Sequence, residues 1–330
     1  HCAVGAAGHP VVEAGAGAGC QVNKQVTGLE RLADMRGFTG VEPIGAGLEF
    51  VAYRATDLAG NPVVLRCAHS RFDSNVNDPY VDTSALLVQE HAITSYLARH
   101  GFPVARPVEL VRGLSATEPD VLISEYVSDD GARLDSVALG GLLARLHRLP
   151  APGLRLIASE GLAVGELIAV RLVRRWREIA RLVERWPQPL AIQHVREPSV
   201  NRTGNRLLHL DVRAANLRCI GGVVSAFLDW SNALIGDPLL ELGRITEFAR
   251  LPENGLDLDA VRVGYTTAGG WWPEHDQSML VYQLDAAVML ALVFLSESPD
   301  EVQARQVLRR VRQLYERLLD TANGVSLNNT

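Results

Sequence analysis

The sequence predicts an α+β protein of two lobes, an amino-terminal lobe built on an antiparallel β-sheet with one helix and a larger, mainly helical carboxy-terminal lobe. Three observations carry that expectation. From Phe38 to Arg66 short β-type runs alternate with glycine and turn residues. Beyond Val127 apolar residues recur at helical spacing, with stops at Pro150 and Pro187. Hydrophobic residues make up 47% and charged residues 21%, as in an average globular chain.

Residues 1–27 include the run Ala14-Gly-Ala-Gly-Ala-Gly19 and lack the cationic start and apolar stretch of a secretory signal, so they read as a flexible tail. Val41–Ile44, Phe50–Arg54 and Val63–Arg66 read as three consecutive antiparallel strands, with Gly45-Ala-Gly47 turning the first into the second. A helix is expected from Ser84 to His100, stopped at Gly101, then strands at Val108–Arg112 and Val121–Tyr126. Residues 28–126 thus form the β-rich lobe and 127–330 the helical lobe. In the latter, helices are expected at Val137–Leu149, Glu166–Trp186, Leu239–Arg250, Asp276–Leu295 and Glu301–Leu319. Between them lie a strand at Arg206–Leu210 and a hairpin from Asn216 to Leu228.

Composition excludes several classes. A net charge of −6 over 330 residues offers no global basic field for nucleic acid. The longest apolar run, Ala286–Leu295, is half the ~20 residues a membrane span needs. Four scattered cysteines form no metal-ligand pair or disulfide framework, a pattern that suits a reducing cytosol. Lys24 is the only lysine, which rules out a Walker-type Gly-Lys-Ser/Thr loop and leaves arginine as the residue for any phosphate clamp.

The stretch from Leu207 to Leu242 carries the chemistry. Asp211 follows an apolar strand, Asn216 comes five residues later, and Gly221-Gly222 closes a hairpin that ends before Asp229. Counting outward from the turn places Asn216 opposite Phe227 and Asp229 on the same face, where an amide oxygen and a carboxylate can share a hard cation such as magnesium. In the helix from Ser84, Glu90 falls on the apolar stripe of Leu86, Ile93 and Leu97, where a carboxylate needs a partner. Arg66, at the end of the third strand, is its natural one.

His209-Leu-Asp211-Val-Arg-Ala-Ala-Asn216, with Leu228-Asp229-Trp230 and Gly236-Asp237-Pro238, resembles the aminoglycoside phosphotransferase and choline kinase superfamily of small-molecule kinases. The resemblance covers Phe38 to Leu319 and implies a protein-kinase-like fold, with a nucleotide-binding first lobe and a catalytic loop and acceptor site in the second. It implies Asp211 as catalytic base, Asn216 and Asp229 as Mg²⁺ ligands, and Arg213 in a phosphate-contacting position. Arg66, where the family usually has lysine, and Glu90 would position the α and β phosphates. Gly45 and Gly47 would lie over the phosphates, and Ser124 and Tyr126 would meet adenine through their backbone. His209 is expected to orient the loop and Asp237 to cap a helix.

Seven residues separate Asp229 from Asp237, too few for the long activation segment of a protein kinase. The expected acceptor is therefore a small molecule, with ATP or GTP as donor, in a cytoplasmic enzyme. Trp271, Trp272, Glu274, Asp276 and Asp285 lie where relatives line their acceptor sites, and aromatics with carboxylates suit a cationic amino sugar or choline-like group. Each also reads singly as core or helix start. The arginines from Arg171 to Arg185, interleaved with Glu178 and Glu184, read as a solvated helix face. The expectation is an antibiotic or amino-sugar kinase of the resistance or self-protection kind. The alternatives are a housekeeping kinase for a sugar, amino acid or choline-like acceptor, and a nucleotide-binding pseudokinase without turnover.

Overall fold

The computed structural model describes residues 28–113, 120–188, 191–200, 204–273 and 276–322; the expected tail 1–27 and Glu274 lie outside them. A short helix α1 (28–36) leads into the first sheet. Its strands are β1 (Thr39–Ala46), β2 (Phe50–Thr56) and β3 (Pro62–Ala68), then β6 (Pro107–Val111) and β7 (Val121–Glu125). They are ordered β1-β2-β3-β7-β6, and every pairing is antiparallel. Between β3 and β6 the chain makes two short strands, β4 (Phe72–Asp73) and β5 (Val81–Asp82), and helix α2 (Thr83–Arg99). Asp82 caps α2 by accepting from the Ala85 amide. Two apolar layers sandwich the sheet, with Leu29, Leu32 and Leu65 on one side and Leu86, Leu87 and Leu122 on the other.

The helical lobe contains α3 (Ser136–Leu146), α4 (Val164–Leu182), α5 (Ile192–Val200), α6 (Pro238–Phe248), α7 (Leu258–Thr267), α8 (Gln277–Leu292) and α9 (Glu301–Ala322). Pairs β8 (Arg206–Leu208) with β11 (Leu234–Gly236), and β9 (Leu217–Ile220) with β10 (Val223–Phe227), carry the loops that matter below. Helix α8 continues as a π-turn at Val293–Glu297. That 21-residue segment is long and apolar enough to cross a membrane, but 72% of its window is buried against the rest of the fold, as the lobe's central core helix. Its apolar side chains join those of α4, α6 and α9 in one cluster that reaches Ile93 and Leu97 of α2. Gln89 of α2 adds a polar tie between the lobes: its Nε2 donates to the Trp230 carbonyl at 3.0 Å and its Oε1 accepts from the Ile157 amide at 2.7 Å.

Helices α1, α5 and α7 and strand β11 were not expected from the sequence. Asp257 accepts from the Ala260 amide and starts α7, whose ten residues give too short a periodic signal to stand out. The arginine stripe of α4 departs from its expected solvated face, since Arg171 and Arg175 are 7% and 2% exposed. Asp285 of α8 draws them inward, 3.2 Å from Arg175, and Glu160 lies 3.1 Å from Arg171.

Candidate active site

Two clusters meet where the lobes face each other. The first grows from the loop after β8. Asp211, 9% exposed, accepts from Asn216 Nδ2 at 2.6 Å through its carboxylate and at 3.0 Å through its carbonyl. Arg213 Nε stands 3.2 Å from the other carboxylate oxygen. The amide donors of Asn216 are thus turned toward Asp211, which leaves its Oδ1 as the acceptor able to meet a cation. Leu210, just before Asp211, has φ +63°, a left-handed conformation costing a non-glycine residue on the order of 1–3 kcal/mol. Neighbouring side chains hold it there. Glu241 Oε1 accepts from the amides of His209 and Leu210 at 2.8 and 2.7 Å, and Arg244 donates to the Leu210 carbonyl at 2.9 Å. Burial alone would raise the Glu241 carboxyl, but hydrogen bonds from His147 and the loop amides bring it below the usual range.

The second cluster spans the lobes. Arg66 on β3 bonds Glu90 of α2 at 2.5 Å and Asp229 at 2.9 Å, and its guanidinium lies over the Phe50 ring at 4.3 Å. Burial works against ionised Asp229, and Arg66 reverses it, holding that carboxyl well below the usual carboxylate range. The same carboxylate, with the nearby Glu90, strengthens the guanidinium's hold on its proton against burial. Asp229 retains 35% side-chain exposure. It is therefore an ionised carboxylate open to the cleft.

His209 joins the clusters. Its Nδ1 accepts from the Asp211 amide at 3.1 Å and its Nε2 donates to the Leu228 carbonyl at 2.8 Å, while the Leu228 amide donates to Asn216 O at 2.9 Å. The histidine therefore packs and orients, as the sequence suggests. The hairpin register differs from the expected one. Ile220 does oppose Val223, but a bulge at Ser225 shifts the ladder so that Phe227 faces Leu217. Asn216 therefore meets Leu228, and Asp229, at φ +60°, leaves the strand to reach Arg66.

At the glycine turn, Gly47 N–H donates to Phe50 O at 2.8 Å, and His69 Nε2 bonds Gly47 O at 3.1 Å. Neither Gly45 nor Gly47 has positive φ, and a Cβ on Gly45 would meet open space. Their lack of side chains leaves the backbone open to close approach. Glu49, in the same turn, was not singled out by the sequence; burial, then Asp229, pushes its carboxyl up to about 7. Ser124 sits in β7 opposite Val64 and Pro107. The Tyr126 amide already donates to Pro62 O at 3.2 Å, and its ring lies under Arg54. Of the expected acceptor residues, Asp276 caps α8, Trp272 packs edge-on against Tyr265, Trp271 is 57% exposed, and Asp285 is fully buried. Asp237 caps α6 ahead of Pro238.

Among solved structures, the fold is similar to a thermostable mutant of aminoglycoside phosphotransferase APH(4)-Ia in ternary complex with ADP and hygromycin B (16% identity, TM-score 0.58, 86% of this chain and 96% of that one). It is likewise similar to a putative aminoglycoside phosphotransferase from Ralstonia eutropha (17%, TM-score 0.56, 91% and 98%). A macrolide 2′-phosphotransferase type I matches at 16% identity and TM-score 0.53, over 87% of this chain and 96% of that one. No curated protein matches the sequence. These likenesses define a kinase-like fold, and the class of protein is a phosphotransferase with an alcohol group as acceptor. The profile of the phosphotransferase enzyme family matches residues 40–277, from β1 to the start of α8. The chain belongs to that family.

Proposed function

We propose that the chain transfers the γ-phosphoryl group of magnesium-bound ATP or GTP to a hydroxyl of a small antibiotic or amino-sugar-like acceptor, in a resistance or self-protection role in the cytoplasm. The observation that carries this reading is the pairing of Asp211 and Asn216 at 2.6 Å beside the Arg66–Glu90–Asp229 cluster. The acceptor oxygen attacks the γ phosphorus as the bond to the leaving nucleoside diphosphate breaks. Asp211 orients the hydroxyl and takes its proton. Asn216 holds the Asp211 carboxylate in place, while Arg66 and Arg213 offset phosphate charge.

Asn216 Oδ1 and the Asp229 carboxylate would hold the magnesium ion, which would supply positive charge against the phosphates. Hard oxygen donors and a carboxylate kept ionised by Arg66 fit that ion. Among the described residues no three His, Cys, Asp or Glu side chains gather as a metal cage, which suits a cation completed by substrate phosphates.

A second reading, a metabolite kinase whose acceptor lacks a cationic group, draws support from one observation. Two of the three carboxylates expected to greet such a cation are engaged elsewhere, Asp276 as a helix cap and Asp285 between Arg175 and Arg244, while Glu274 lies outside the described residues. Both readings face one experiment. The protein, Mg²⁺ and ATP or GTP are incubated with aminoglycosides, macrolides, amino sugars, neutral sugars and choline-like alcohols, following nucleoside diphosphate release and product mass. A gain of one phosphoryl group on one class names the acceptor; absence of nucleotide binding overturns the reading.

A further inference from the structure

Between β4 and β5 the chain leaves the sheet lobe and lies across the helical one. Val76 packs against the helical-lobe core. Asn77, 4% exposed, donates to Glu297 Oε1 through its amide at 3.1 Å and its Nδ2 at 3.0 Å, and to the Met289 carbonyl at 3.2 Å. Arg174 donates to its carbonyl at 2.9 Å. Glu297 is offered by the π-turn that ends α8, a local widening of the helix of the kind often found at functional positions. This strap, anchored at Asn77 only a short way along the chain from Arg66, ties the lobes together at a point continuous in space with the loop that holds Asp211.

The continuity runs through side chains. Asp78 Oδ1 lies 3.9 Å from Arg175, and Arg175 donates to Asp285 Oδ1 at 3.2 Å. The other Asp285 oxygen is 3.4 Å from Arg244, which in turn donates to the Leu210 carbonyl at 2.9 Å. Arg175, Asp285 and Arg244 are 2%, 0% and 4% exposed. Buried guanidiniums persist only with an anionic partner. The two arginines share the two oxygens of one carboxylate, so a shift of either moves the other. The chain ends on the residue whose left-handed backbone aims Asp211.

We propose that Asp78, Arg175, Asp285 and Arg244 form a positioning chain through which docking of the strap on the helical lobe sets the place of the Asp211 carboxylate. The proposal rests on the reading of Asp211 as the group that takes the acceptor's proton. None of the four touches the reacting atoms. Closure of one lobe on the other is thereby coupled to the geometry of the base, so that a chain whose strap is undocked holds Asp211 loosely.

The test begins with Asp78→Ala in the full chain, a change at a side chain 35% exposed that leaves Arg171 its Glu160 partner and Arg175 its Asp285 partner. Amide hydrogen exchange over residues 207–213 is expected to quicken about tenfold, with strand β3 unchanged and Asp78→Glu restoring protection. In turnover of Mg²⁺–ATP, kcat is expected to fall about tenfold with nucleotide KM within about twofold. Asp78→Ala with Arg244→Lys should be no worse than Arg244→Lys alone, because both break one path. Unaltered exchange at 207–213, or losses that simply add, overturn the chain. A wild-type protein that binds no nucleotide and transfers no phosphoryl group overturns the proposed function instead, and an exchange response in that protein still supports the coupling.

Discussion

At the scale of single residues, the site divides its carboxylates by environment. Asp211 is buried and hydrogen-bonded by Asn216, Asp229 is kept ionised by Arg66, and Glu49 is pushed up to about 7 by burial and Asp229. Asp211→Ala is expected to lower turnover by ~10²–10⁴-fold while nucleotide binding, followed by titration calorimetry, changes little. Glu49 gives a pH prediction whose sign follows from its raised value. Its neutral form is favoured in the fold, so its contribution to stability is full below about 4.5 and is lost as pH rises through about 7. Glu49→Gln should therefore gain stability relative to wild type between pH 5 and pH 8, roughly across that window, when denaturant midpoints of the two proteins are compared. The Arg66–Glu90 pair was legible in the sequence, because Glu90 falls on an apolar stripe where a carboxylate needs a partner, whereas Asp211 and Asn216 stood out through the motif that resembles the phosphotransferases. Glu241 was not, since the fourth residue of a capped helix gives no sign that its carboxylate turns back onto a loop 31 residues away.

Elements tell the same story through their packing. Helices α3 and α7 touch backbone to backbone at two glycines: a Cβ on Gly264 would stand 1.9 Å from Val137 O, and one on Gly140 2.1 Å from Val261 O. Gly264→Ala should cost about 2 kcal/mol or more, as overpacking does. Gly141, one residue on in α3, meets open space. Gly141→Ala should stabilise by about 0.5–1 kcal/mol from helix propensity alone, and urea midpoints of the pair check both signs. Long amphipathic helices such as α2 and α9 were readable from periodicity. The bulge at Ser225 was not, because Gly-Gly fixes the turn while the extra residue answers to what Asp229 must reach across the cleft. The inward turn of Arg171 and Arg175 was equally hidden, since their partners Asp78, Glu160 and Asp285 come from elsewhere in the chain.

For the whole molecule, Gln89, Asn77 and Arg66 hold one lobe against the other at three separate places. A ligand that binds between the lobes therefore stabilises both. At ~100 Kd of Mg²⁺–ATP the gain should be about 2.7 kcal/mol, seen as a rise in melting midpoint that chelation of Mg²⁺ abolishes. The two-lobed outline was foreseeable from composition along the chain, but the contacts that fix one lobe on the other join residues up to 220 positions apart and leave no local trace. Arg66 has one more consequence. A guanidinium stands on β3 where the resemblance leads one to expect an amine, and the only lysine of the sequence is Lys24. On the proposed function, acyl-phosphate nucleotide probes, which act by acylating a lysine amine, are expected to leave the β3 position of this chain unlabelled. Arginine-selective dicarbonyls, blocked by bound nucleotide, are the reagents that would reveal it in a mixture.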